Sequence, residues 1–148
     1  MKHVALAVDG SDPPGTQPVE VDARPDGTFL ILHSPGFVEG IAAGDVVRIT
    51  DRELGLFEVV ERGGNVSLKW STPDSIAGVL DQANAILSEL SASFDGAIEH
   101  AAVWTVPVAA GFSAIEERME RVVALRDGSS WWYGNVYDDK GAPLNWWE

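Results

Sequence analysis

Residues 40–70 read GIAAGDVVRITDRELGLFEVVERGGNVSLKW, and this stretch decides the fold. It contains three short apolar runs separated by two polar breaks. Apolar runs of this length, bounded by Gly, Asn and Asp, are typical of short β-strands joined by turns. The stretch therefore predicts three consecutive strands, at residues 46–49, 56–60 and 66–70.

The residues before this stretch predict a further hairpin. Residues 19–23 alternate apolar and acidic side chains, which is the period of a half-buried strand. The following Pro25-Asp26-Gly27 places proline and glycine where a tight turn favours them, so residues 28–32 should return antiparallel. A glycine-containing connector over residues 34–44 then leads into the central stretch.

The second half of the chain changes to a helical period. Apolar residues recur at helical spacing over residues 73–91, after a capping hydroxyl at Thr72. Residues 97–106 predict a strand, Ser113 predicts the cap of a second helix, and residues 130–137 predict a final aromatic strand.

These elements predict an α+β fold. We expect an antiparallel sheet or small open barrel in residues 1–70, joined to a two-layer, ferredoxin-like helix-strand-helix-strand unit in residues 71–148. A chain of 148 residues is long enough to bury one conventional core, so residues 1–148 should form a single compact protein.

The charge of the chain is strongly acidic. Ten basic and 23 acidic residues give a net charge of −13, which repels nucleic acids and anionic membranes. No Lys or Arg occurs between Lys69 and Arg118, although seven acidic residues fall in that interval. One region of the surface should therefore be strongly negative, either for solubility or to meet a basic partner.

Cysteine is absent, which excludes disulfides, thiolate metal sites and thiol nucleophiles. No segment resembles a complete signal peptide or a membrane span. We therefore expect a cytoplasmic protein.

Residues 34–65 include three segments that resemble a known family. These are the pattern Ser34-Pro35-Gly36-Phe37-Val38-Glu39-Gly40, the turn Gly44-Asp45-Val46-Val47 and the segment Arg62-Gly63-Gly64-Asn65. All three are similar to an uncharacterised bacterial family of small acidic domains. The resemblance covers mainly residues 19–70. The chain departs from the pattern by Gly36, inserted before Phe37, and by its Trp-rich tail. The resemblance supports the fold and implies no activity, and we interpret Asp45 and Arg62 as turn residues.

A search for chemistry finds no catalytic, cofactor or metal motif. His3, His33 and His100 are too far apart in sequence for a zinc motif, and the acidic loops at residues 9–12 and 138–139 lack the spacing of a calcium loop. No catalytic residue, cofactor or metal is therefore predicted. A structure that places His33 or His100 beside a buried carboxylate in a pocket would favour an enzyme.

Five of the six tryptophans lie in the last 45 residues. Adjacent tryptophans on a strand must point to opposite faces, so one ring needs cover from the tail, from a second copy in a homodimer or from a partner. Aromatic rings within an acidic rim suit the capture of a basic protein. The predicted partner-binding residues are Trp131, Trp132, Trp146, Trp147, Asp138, Asp139, Glu116 and Glu117.

Three functions are compatible with these features of the sequence. The first is a non-catalytic, immunity-type or antitoxin-type inhibitor that covers a basic toxin or nuclease. The second is a small-molecule-binding or regulatory domain with an apolar cleft lined by Trp104 and Trp131. An enzyme built from convergent Asp, Glu and His side chains ranks last.

Overall fold

The first five strands form one antiparallel sheet in chain order. We obtained a computed structural model, which describes residues 2–8 and 15–148; the acidic loop at residues 9–12 lies outside the described residues. In the predicted hairpin, Val21 lies opposite Ile31, which confirms that pairing. The strands are β1 (Lys2–Ala7), β2 (Thr16–Ala23), β3 (Phe29–Ile31), β4 (Val46–Asp51) and β5 (Leu56–Glu61).

The turn before β5 lies against β1. The Ala7 amide donates a hydrogen bond to the Gly55 carbonyl at 2.9 Å. A Cβ on Gly55 would lie 2.8 Å from the Ala5 carbonyl oxygen, so only glycine allows this approach. The sheet curls around a core that includes Leu6 and Val21, but its described strands do not close into a barrel.

The third strand of the central stretch leaves the first sheet and begins the second. The second sheet is also antiparallel, in the order β7-β8-β6-β9. Two helices pack against one face of it and share its core. The elements are β6 (Asn65–Ser71), α1 (Leu80–Ser88), β7 (Ser93–Ile98), β8 (Ala101–Pro107), α2 (Phe112–Val123) and β9 (Ser130–Tyr133). The predicted α+β class is thus correct.

Three details of the second half differ from the sequence prediction. Helix α1 begins well after Thr72, since Gly78 has a φ of +89° and the Ile76 amide donates to the Glu99 carbonyl instead of to a helical partner. The predicted single strand over 97–106 belongs to the hairpin β7-β8. The capping role of Ser113 is wrong, because α2 begins at Phe112 without a side-chain cap.

The connector between β3 and β4 joins the two sheets. The Gly40 amide donates to the Gly134 carbonyl at 2.7 Å, and Asn65 Nδ2 donates to the Ala43 carbonyl at 2.8 Å. The first sheet is therefore attached to the second through β6 and the segment after β9. Among residues 2–8 and 15–148, no helix is long and apolar enough to cross a membrane.

Candidate functional site

A cleft of about 510 Å³ lies where the two sheets meet. Its walls come from β1, β2 and the connector on one side, and from β6, β7, β8 and β9 on the other. The residues of these walls include His3, Glu20, His33, Ser34, Phe37, Lys69, Asp95, Gly96, Ile98, His100 and Trp132.

Strand alternation decides which side chains of the second sheet face the cleft. Trp131 lies opposite Trp70, and both belong to the apolar layer shared with the helices. Trp132 lies opposite Lys69, and both line the cleft. Each strand therefore gives alternate residues to the helical core and to the cleft.

A histidine and a buried carboxylate meet in the wall of the cleft. His33 Nδ1 lies 3.4 Å from Asp95 Oδ1, and their side chains are 55% and 3% exposed. Asp95 sits at an irregularity in the register of β7, between Phe94 and Gly96. A β-bulge changes the direction of a side chain. Here the side chain at the irregularity is that of Asp95, whose carboxylate contacts the connector.

The Asp95 carboxylate is the end point of a chain of hydrogen bonds. Thr105 Oγ1 donates to Asp95 Oδ2 at 2.6 Å. Because the single Thr105 hydroxyl proton is used in that bond, Ser34 Oγ donates to Thr105 Oγ1 at 2.6 Å, and the Ala43 amide donates to Ser34 at 3.0 Å. This series of hydrogen bonds links the connector to the second sheet.

Burial raises the pKa of the Asp95 carboxyl above its ordinary value. The hydrogen bonds from Thr105 and the Ser34 amide oppose this effect, as does the neighbouring His33. Asp95 is therefore a carboxyl group whose proton is retained to higher pH than that of an exposed aspartate.

The second nitrogen of His33 also has an acidic neighbour. His33 Nε2 lies 3.3 Å from Glu20 Oε1, and His3 Nε2 lies 3.8 Å from Glu20 Oε2. Within the described ranges, no group of three or more His, Asp and Glu side chains could hold a metal ion. An imidazole oriented by a buried carboxylate can exchange a hydrogen bond or a proton with a bound molecule.

A buried lysine forms another part of the wall. The Lys69 side chain is 3% exposed, and its Nζ donates to Glu39 Oε1 at 3.0 Å and to the Val38 carbonyl at 3.2 Å. Trp132 Nε1 donates to the same Glu39 oxygen at 3.4 Å. The charge of Lys69 is thus compensated at the edge of the cleft.

The predicted partner-binding residues do not share one surface. Trp131 faces the helical layer, where its Nε1 donates to Glu120 at 3.4 Å, whereas Trp132 faces the cleft. Glu116 accepts a hydrogen bond from the Tyr133 hydroxyl at 2.9 Å, also on the helical side. Glu117 pairs with Arg118 and Arg121, and Asp138 accepts the amides of Lys140 and Ala142 beside the exposed Asp139.

The terminal tryptophans pack on their own chain. Trp147 contacts Phe112 edge to face at 5.2 Å between ring centroids, and Trp146 Nε1 donates to the Asn135 carbonyl at 2.8 Å. The Arg62 guanidinium lies 5.6 Å from the Trp146 ring centroid. The intramolecular alternative therefore describes both rings, and the partner role of the eight residues stays a prediction.

The sequence indicated His33 as a possible member of a site but did not indicate its partners. No catalytic or metal-binding motif marks Asp95, Thr105, Ser34 or Glu20. These residues come close to His33 only through the packing of the two sheets. The one available signal was the acid at Asp95 within an otherwise uncharged strand. His100 lines the cleft as well, in the turn between β7 and β8.

The fold and cleft together define a class: a two-sheet α+β domain with helices on one face of the second sheet and a cleft at the junction. Residues 18–132 match the family described as "Domain of unknown function (DUF4265)". The chain belongs to that family.

A solved structure described as "Novel crystal structure of a hypothetical protein from Neisseria gonorrhoeae" has a similar architecture. The TM-score is 0.71 at 18% sequence identity, with 90% of this chain and 93% of that chain covered. At this identity, the likeness shows a shared fold alone. No curated protein matches the chain.

Proposed function

We propose that the chain is a small-molecule-binding domain whose ligand occupies the cleft between the two sheets. The main support for this proposal is the cleft of about 510 Å³, which has the His33–Asp95 pair in its wall. Small-molecule sites have volumes of roughly 300–1,000 Å³, with mostly apolar walls and a few placed polar groups. This cleft fits that description, since Phe37, Ile98 and Trp132 accompany His33 and Lys69 in its wall.

The polar groups indicate what the ligand offers. His33 is held between Asp95 and Glu20, and Lys69 is held by Glu39. A ligand with one hydrogen-bonding group on a mainly apolar body would replace Glu20 at Nε2 of His33 and place its body against Trp132. Acid-base catalysis on such a molecule would extend this function, because a histidine oriented by a buried carboxylate can transfer a proton.

The predicted lining by Trp104 and Trp131 is wrong. Trp104 is buried against Trp70, and Trp131 packs with the helical layer. The adjacent Trp132 lines the cleft instead, because neighbouring residues of a strand point to opposite faces. Trp132 is therefore the indole expected to report a bound ligand.

A cavity-filling substitution tests the proposal. A Cβ at Gly96 or Gly15 would meet no atom within 4 Å, but only Gly96 lines the cleft. Purified wild type, Gly96→Leu and the control Gly15→Leu would be screened against a metabolite library by thermal melting and native mass spectrometry. We expect a ligand that raises the Tm of the wild type and of Gly15→Leu, but not that of Gly96→Leu. A ligand that stabilises all three proteins equally, or no ligand for the wild type, would overturn the proposal.

A protein-binding module is the second candidate, specifically an acidic immunity-type inhibitor of a basic toxin or nuclease. The net charge of −13 and the exposed rings of Phe37 and Trp132 support it. Affinity purification from the native host and deletion together with the neighbouring genes test this alternative. Recovery of no partner, together with no toxicity phenotype, would exclude it.

We also propose a ferredoxin-like arrangement for the second half and a cytoplasmic location. The element order β6-α1-β7-β8-α2-β9 and the sheet order β7-β8-β6-β9 support the first proposal. The absence of cysteine supports the second.

A further inference from the structure

One edge of the second sheet is formed by β7. In the part of the chain that the structure describes, β7 pairs with β8 alone and ends the sheet order. We propose that this edge binds an extended, Lys-rich or Arg-rich segment of another protein, which adds to the sheet as a further strand. An edge strand offers unpaired backbone donors and acceptors, and strand addition uses them directly.

The protection of β7 against such pairing is confined to one position. Natural edges are blocked by lysine, proline, bulges or inward-pointing charges, and Ser93–Ile98 contains neither lysine nor proline. Its one charge, Asp95, is 3% exposed and points into the cleft wall, and the register irregularity of the strand is at this same residue. Beyond it, Gly96, Ala97 and Ile98 pair regularly with β8. Part of the edge is therefore regular enough to receive another strand.

The same strand exposes two large apolar side chains. Phe94 is 44% exposed and Ile98 is 58% exposed. Phe94 lies opposite Trp104 of the helical core, whereas Ile98 lies opposite Ala101 in the cleft wall, so the two point to opposite faces of the sheet. An added strand would cover both, with alternate residues on each face.

Charge decides between a basic segment and a second copy. No Lys or Arg occurs between Lys69 and Arg118. Glu99 follows β7 on an exposed position, whereas Glu89, which precedes β7, is paired with Arg118. A second copy would bring the same net charge of −13 to this edge, which opposes self-association. A basic strand would instead complement the surroundings of β7.

This inference does not depend on a ligand in the cleft. It also assigns a partner surface different from the predicted tryptophan residues. Gly96 and Ile98 also line the cleft, so an added strand would extend its wall. The two proposals can still fail separately, because one concerns binding of small molecules and the other concerns backbone pairing at β7.

The test uses the full chain and two synthetic ten-residue peptides, one alternating valine with lysine and the other valine with glutamate. Fluorescence anisotropy at low and high salt measures binding, and amide hydrogen exchange followed by NMR locates it. We expect the lysine peptide to bind, to weaken with salt and to slow exchange in Ser93–Ile98. The glutamate peptide should not bind.

Two variants and a control test whether the peptide binds at β7. Ile98→Lys and Phe94→Lys place a like charge at the edge and should weaken the lysine peptide about tenfold or more. Val60→Lys is the control, since Val60 of β5 is similarly exposed but lies on the other sheet. Circular dichroism checks folding, and Ile98→Lys suffices should Phe94→Lys unfold. Equal binding of both peptides, protection outside β7, or a dimer that both edge variants disrupt would overturn the proposal.

Discussion

Asp45 and Arg62 bind each other across two turns that are distant in sequence. Arg62 Nη1 lies 3.2 Å from Asp45 Oδ2, and the fully buried Asp45 also accepts the amides of Gly63 at 2.9 Å and Ala42 at 3.0 Å. Both turns belong to the sequence pattern that resembles the acidic-domain family. The pattern therefore encodes a clamp that fixes the connector against the turn before β6.

The substitution Asp45→Asn should destabilise the protein strongly. The asparagine amide cannot accept from two backbone amides and an arginine at once, so buried donors lose their partner. We expect a loss of about 3 kcal/mol in the free energy of unfolding. Urea denaturation monitored by tryptophan fluorescence measures it, with the exposed Asp127→Asn as the control. Equal stability of the two variants would show that the clamp contributes little.

Glycine at position 63 should be required by packing. A Cβ there would collide with the carbonyl carbon and oxygen of Gly44, so the backbone would have to move. Gly63→Ala should therefore cost about 3 kcal/mol or prevent folding. Gly36→Ala is the matched control, because a Cβ at Gly36 meets no atom within 4 Å, and its effect should stay within about 1 kcal/mol. Similar melting temperatures for both variants would contradict this account of the turn.

The local chemistry of these turns was readable from the sequence. Asp45 acts as the predicted turn residue, since it accepts the Ala42 amide, and the preceding Gly44 has a φ of +93°. The sequence did not show that Gly44 contacts Gly63 or that Asp45 binds Arg62. Those contacts join two turns through the fold, and only the assembled sheets bring them together.

The candidate site was less predictable than the fold. The contact between His33 and Asp95 requires the connector to cross the second sheet and a bulge to turn Asp95 toward it. Strand β7 itself was missed at its start, because Asp95 and Gly96 interrupt the apolar alternation that predicts strands. The helical periods of the second half were stronger signals, and the buried positions Ile115, Met119 and Val122 of α2 follow them.

Trp146 and Trp132 should differ in their contribution to stability. Trp146 packs on the described chain and donates to the Asn135 carbonyl, whereas Trp132 is 41% exposed at the cleft. We expect Trp146→Ala to lower the free energy of unfolding by about 2 kcal/mol, and Trp132→Ala by less than about 1 kcal/mol. Urea denaturation followed by circular dichroism measures both. A larger loss for Trp132→Ala would show that the tail packing is not what stabilises this part of the molecule.

The buried carboxyl of Asp95 should make stability depend on pH in a defined direction. Burial raises its pKa above the ordinary value of 3.8, so the folded chain keeps this proton to higher pH than the unfolded chain. The stabilisation that this proton provides is complete below about pH 3.8 and is lost as the pH rises through the folded pKa.

Asp95→Asn removes this titration while keeping an oxygen for the Thr105 hydroxyl. The stability of the wild type relative to the variant should therefore fall as the pH rises from 4, by about 1.4 kcal/mol for each unit by which the pKa is raised. Urea denaturation of both proteins at pH 4, 5, 6 and 7 gives the difference, in which contributions from other carboxyl groups cancel. Asp139→Asn, at an exposed position, should run parallel to the wild type. A difference between wild type and Asp95→Asn that stays constant would show that Asp95 ionises in the folded protein as readily as an exposed aspartate, and one that changes in the opposite direction would show that it ionises more readily.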